Sequence, residues 1–176
     1  MPIVRTGPFR CECGAKQPVP MGRTVLDFVV EGQPYPWGVY VKNKGGPSSG
    51  WLNFKGWQEQ IRAAGLETMR GRPPFSGPVF LKVYFTLAFH KKTPKGLAAR
   101  DKWIRNHMCV KPDLTNLLKA FEDGLNTCVW TDDNQVVTTW TSKGFGEVGR
   151  TLVHIEIDDS ANTEMLIPST EEKIIG

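Results

Sequence analysis

The chain has 176 residues, 40% of them hydrophobic and 23% charged, and a formal net charge of +4. Such a length holds one domain with a real core, and the balance is that of an ordinary soluble globular protein. No apolar run approaches the roughly 18–20 residues that cross a membrane, and the opening MPIVRTGPFR lacks the apolar core of a secretory signal, so a cytoplasmic protein is expected.

Residues 1–22, rich in proline and glycine, read as an N-terminal arm. Cys11 and Cys13 resemble half of a zinc knuckle, yet a structural zinc needs four ligands. Cys109, Cys128 and His107 offer no matching C-x-x-C spacing, so reduced thiols are expected, with Cys128 in the core. A first strand is predicted over 25–31, ending at Gly32, after which Pro34 and Pro36 turn the chain. A second extended piece, 38–42, leads into a glycine- and serine-rich loop, 44–50. Trp57, Ile61, Ala64 and Leu66 predict an amphipathic helix over 54–69, weakened by Gly65 and broken at 70–77 by Pro73 and Pro74. The segment 79–89, VFLKVYFTLAF, is the strongest strand signal in the chain.

A basic connection, 90–110, follows. From His90 to Lys119 there are eight Lys or Arg and two Asp, a local excess of +6. Lys91, Lys92, Lys95, Arg100, Lys102, Arg105 and Lys111 are the candidate phosphate contacts, because neutralising phosphates releases condensed counterions. A helix is predicted over 114–125 from the stripe Leu117, Leu118, Phe121 and Leu125. Strands over 136–143 and 151–157 are joined by GFGEVG, a hairpin-like connection. Residues 158–176 carry five carboxylates against one lysine and read as an acidic tail. The chain thus divides into an arm (1–22), a domain (23–157) and a tail (158–176). Its order of elements predicts an α+β domain, a small mixed β-sheet with two main helices packed on one face.

The chemistry concentrates in KPDLTNLLKAFEDGLN, 111–126, and TCVWTDDNQVV, 127–137. Asp113 stands where a helix N-cap falls, and a carboxylate there satisfies backbone N–H groups and faces the positive helix end. Lys119 and Asp123 are spaced i, i+4 and can pair. Asp132 and Asp133 precede a strand that could lie beside 79–89. A capped helix and an acidic turn account for each feature alone. Together, hard oxygen donors beside a basic surface suit phosphodiester hydrolysis assisted by a divalent metal, with a lysine offsetting charge on the transition state.

The run KPDLTNLLKAFEDGLNTCVWTDDNQVV resembles the core signature of the RusA family of Holliday-junction resolvases, closely over 111–137 and loosely over 25–157, including Lys143. The resemblance implies a RusA-like fold and a homodimeric endodeoxyribonuclease that nicks opposing strands of four-way DNA junctions, with Mg2+ as cofactor and Mn2+ able to substitute. It implies Asp113 and Asp133 as metal-binding and catalytic carboxylates and Lys119 as the catalytic lysine. Asn116, Asp123, Gln135 and Asp132 match supporting positions, Asp132 also as a metal ligand filling a gap. Thr115 departs from the pattern, for the family carries a second metal-binding aspartate there. The resemblance therefore implies either a cutting enzyme or a junction-binding protein with weakened or lost catalysis.

Overall fold

The computed structural model describes residues 23–38, 48–91, 93–107, 109 and 111–158. The expected arm, the extended piece beyond Gly38, the loop up to residue 47, Lys92, and the tail beyond Asp158 lie outside these residues. In chain order the elements are β1 (Arg23–Glu31), α1 (Ser49–Met69), β2 (Val79–Ala88), α2 (Leu97–His107), α3 (Leu114–Leu125), a single 3-10 turn (Asp133–Gln135), β3 (Val136–Gly146) and β4 (Arg150–Asp158).

The four strands form one mixed sheet in the order β1–β4–β2–β3. β2 runs parallel to β3 and antiparallel to β4, and β1 is antiparallel to β4. The connection 144–149 is therefore no hairpin: β2 lies between β3 and β4. Period-two alternation sends Leu26 and Val30 of β1, Val79 to Leu87 of β2, and Val153 to Ile157 of β4 to one side of the sheet. There they meet Phe54, Trp57 and Ile61 of α1 and Leu117, Phe121 and Leu125 of α3, and the burial of each large side chain contributes about 1.5–3 kcal/mol.

α1 begins five residues earlier than the apolar pattern predicts, because Ser48 caps it by accepting the Trp51 N–H at 3.3 Å. Gly65, a weakness in the helix by propensity, is a packing requirement. A Cβ there would stand 2.8 Å from Leu125, and one on Gly124 of α3 would stand 2.8 Å from Ile61. The two glycines let the helices approach closely. Leu66, expected on the buried face, is 49% exposed.

The basic connection contains a third helix, α2, which residues 97–107 form with little apolar content. Trp103 anchors it, stacking on His107 at 3.9 Å and meeting Phe145 of β3 edge-on at 5.0 Å. Cys128 is buried against α3, as expected, and among the described residues both Cys109 and Cys128 are free thiols. No helix of the described residues is long and apolar enough to cross a membrane.

Candidate active site

The parallel β2–β3 pair needs a crossover, and that crossover carries the motif from Lys111 to Gln135. At one end of α3, Asp113 occupies the N-cap with extended backbone, yet its side chain makes no capping hydrogen bond. The exposed carboxylate is thus not spent on the helix, contrary to the capped-helix expectation. The entry to α3 is held instead by Lys143 of β3, whose ammonium donates to the Pro112 carbonyl at 2.6 Å. Thr115 is exposed in the first turn. The Asn116 carbonyl accepts the Trp37 N–H at 2.8 Å, fastening the 33–38 segment along α3. Lys119 does not pair with Asp123 among the described residues; its ammonium lies over the Trp37 ring, 5.4 Å from the centroid.

Beyond the other end of α3, Asp132 accepts the Asn134 N–H at 2.9 Å and caps the 3-10 turn. Expected as a metal ligand, Asp132 already holds backbone with one oxygen. Gln135 does more. Its Oε1 accepts the N–H groups of Thr131 and Asp132, both at 2.9 Å, and the Thr131 hydroxyl. Its Nε2 donates to the carbonyls of Phe75 and Gly77, both at 2.9 Å. One side chain thus ties the turn that presents exposed Asp133 to the segment leading into β2.

Asp113 and Asp133 do not meet within one chain. The 12 residues of α3 span about 18 Å, with Asp113 at the start and Asp133 past the end. β3 agrees: Lys143 touches the Asp113 end, and Val136, seven residues earlier, starts the strand beside the Asp133 end, a run of about 23 Å. Among the described residues no three His, Cys, Asp or Glu side chains gather as metal ligands would. The donors named from the sequence are chemically suited to a hard cation, but one chain does not converge them into a site.

Near Asp133 the structure places Glu122, which helical spacing sets two turns from Thr115 and so too far to replace it. Partial burial pushes its carboxyl above the ordinary 4.5, the charges of Asp133 and Asp123 push the same way, and Lys119 opposes them. Its position three residues after Lys119, on the same helical face, was the available signal; the turn that returns Asp133 to that face was not. A raised carboxyl favours the protonated folded state, so Glu122 costs no stability below pH 4.5 and destabilises as pH rises through its elevated value. Glu122→Gln is therefore expected to raise the melting temperature at pH 7 in EDTA, with the gain vanishing below pH 4.5 in a thermal unfolding series.

Of the basic residues, Lys91, Lys95, Lys102, Arg105 and Lys111 are exposed. Arg100 is engaged: it pairs with Glu147 at 2.6 Å, donates to the Pro94 carbonyl and lies over Phe89. It organises the β2–α2 connection, leaving the exposed lysines and Arg105 as the cationic surface.

A mixed α+β sheet whose crossover presents hard-oxygen donors, a lysine and a basic flank has the layout of a domain that acts on phosphodiesters. Residues 38–156 match the family model described as endodeoxyribonuclease RusA. The chain belongs to the RusA endodeoxyribonuclease family, as its motif implied. No curated protein gives a significant match.

Proposed function

We propose that this protein is a Mg2+-dependent, homodimeric endodeoxyribonuclease that resolves four-way DNA junctions by paired nicks. The observation that carries it is the placement of the motif at the two ends of α3 in a RusA-family chain. A site needing both Asp113 and Asp133 has to be completed by a second copy. β3 is an edge strand, with Val137, Thr138, Thr139 and Trp140 exposed, and an unpaired edge is a ready template for another chain. A two-fold axis near the middle of β3 sets the two copies antiparallel. It brings the Asp113 end of one beside the Asp133 end of the other, twice per dimer. Two identical sites suit a substrate that is itself two-fold.

In the reaction a water oxygen bonds to phosphorus and the P–O3′ bond breaks. The departing oxygen takes up a proton, leaving ligatable ends. Lys119, held over Trp37, supplies positive charge where the phosphoryl oxygens gain negative charge. Asp113 and Asp133 are the uncommitted carboxylates for the metal, which when bound supplies water activation and charge stabilisation.

A synthetic four-way junction with labelled arms, incubated with the protein with and without Mg2+, tests this. The expected result is symmetrical nicking that requires Mg2+ and leaves ends that ligase seals. Cleavage in EDTA, or equal cutting of linear duplex, overturns it. A junction bound but uncut in Mg2+ selects the second reading, a binding protein weakened by Thr115, which adds no charge beside Asp113.

A further inference from the structure

A cleft of about 500 Å3 opens beside Asp113, walled on one side by Pro34, Tyr35 and Trp37 and on the other by Lys111, Asp113 and Asn116. One wall is flat and apolar, and the other is charged and polar. Trp37 is 42% exposed, although an indole of that size normally buries most of its surface. Its backbone is anchored beside α3. Its backbone N–H is bonded to the Asn116 carbonyl at 2.8 Å, and the Lys119 ammonium lies over its ring. An open ring carried on anchored backbone is placed to serve as a contact surface.

We infer that Trp37 is a stacking platform for an unpaired nucleobase of the bound DNA strand, next to the phosphate to be cut. Three features argue for a nucleotide as occupant. Aromatic rings take any base through its π-face. Lys111 and Lys119 flank the ring with the positive charge a phosphate needs. The cleft also adjoins Asp113, so a base seated there places its own phosphodiester at the candidate site. A branch point is where DNA offers a base that is readily unstacked, so the platform would favour branched over linear DNA. This inference rests on the nuclease reading above and adds a specificity-determining residue to it.

The test measures binding of the full-length protein, in EDTA, to a labelled four-way junction and to the matching linear duplex over a series of salt concentrations. Trp37→Ala is expected to weaken junction binding about tenfold, the size of one base–aromatic stack, and duplex binding much less. The slope of log affinity against log salt should stay unchanged, since a stack neutralises no phosphate. Trp37→Phe should recover most of the loss. A 2-aminopurine placed at the branch point should be quenched by the parent protein and not by Trp37→Ala. Equal junction affinity of parent and Trp37→Ala overturns the inference and leaves the nuclease reading intact. So does a Trp37→Ala protein that has become monomeric on size-exclusion, which assigns the cleft to the second copy. A parent protein that binds no junction removes both.

Discussion

Asp113→Asn and Asp133→Asn proteins, each inactive alone, are expected to regain junction nicking when co-expressed as mixed dimers. Each substitution removes a carboxylate from every site of its own homodimer, and losing a charged ligand costs the metal affinity on which cleavage depends. In a mixed dimer with composite sites, both substitutions fall into one site and the other keeps Asp113 and Asp133. Random pairing makes half the dimers mixed, so about a quarter of the parental sites are restored. Single nicks should return, while coordinated paired cuts should not. Neither substitution should unfold the chain. Asn serves as well as Asp at a helix N-cap, Asp113 makes no capping bond, and Asp133 is exposed. Junction binding should stay at the parental level or tighten, because a negative charge near phosphates is removed. A mixture as inactive as its components, with mixed dimers shown by differential tags, would mean that each site is built from a single chain.

Gln135→Ala is expected to lower the melting temperature by about 5–10 °C, equivalent to about 2–3 kcal/mol in a chain of this size. The side chain makes five hydrogen bonds. Water can replace those to Thr131 and Asp132, which are exposed. The Phe75 carbonyl lies in a buried residue and keeps only its bond from the Thr131 N–H, while the Gly77 carbonyl, also in a buried residue, loses a donor. Cleavage should fall further than stability. The same bonds hold the turn that aims Asp133, and a misplacement of about 1 Å can cost roughly 100-fold in rate. Measured at a temperature where the variant stays folded, unimpaired cleavage would show that the turn keeps its position without Gln135.

Much of this was legible in the chain itself. The stripe of Leu117, Leu118, Phe121 and Leu125 located α3, since helical periodicity is a local property. β2 was equally plain, because apolar and β-branched residues are dense there. The run from Asp113 to Gln135 was enough to indicate a RusA-family endodeoxyribonuclease, for a motif of that length and spacing is itself sequence. α2 was obscured because its lysines and arginines read as a loop and its anchor, Trp103, packs on Phe89, just past β2, and on Phe145 of β3, far away in the chain. The hairpin expected at 144–149 did not form, because strand order is settled by which faces bury each other and not by proximity in sequence. The sequence nominated candidate residues, but their arrangement in space was not legible in it. Only the tertiary structure puts Asp113 and Asp133 towards opposite ends of α3, brings Glu122 towards Asp133, and lays Trp37 against Lys119. Those relations depend on where a parallel crossover returns the chain, and nothing in a linear spacing encodes that.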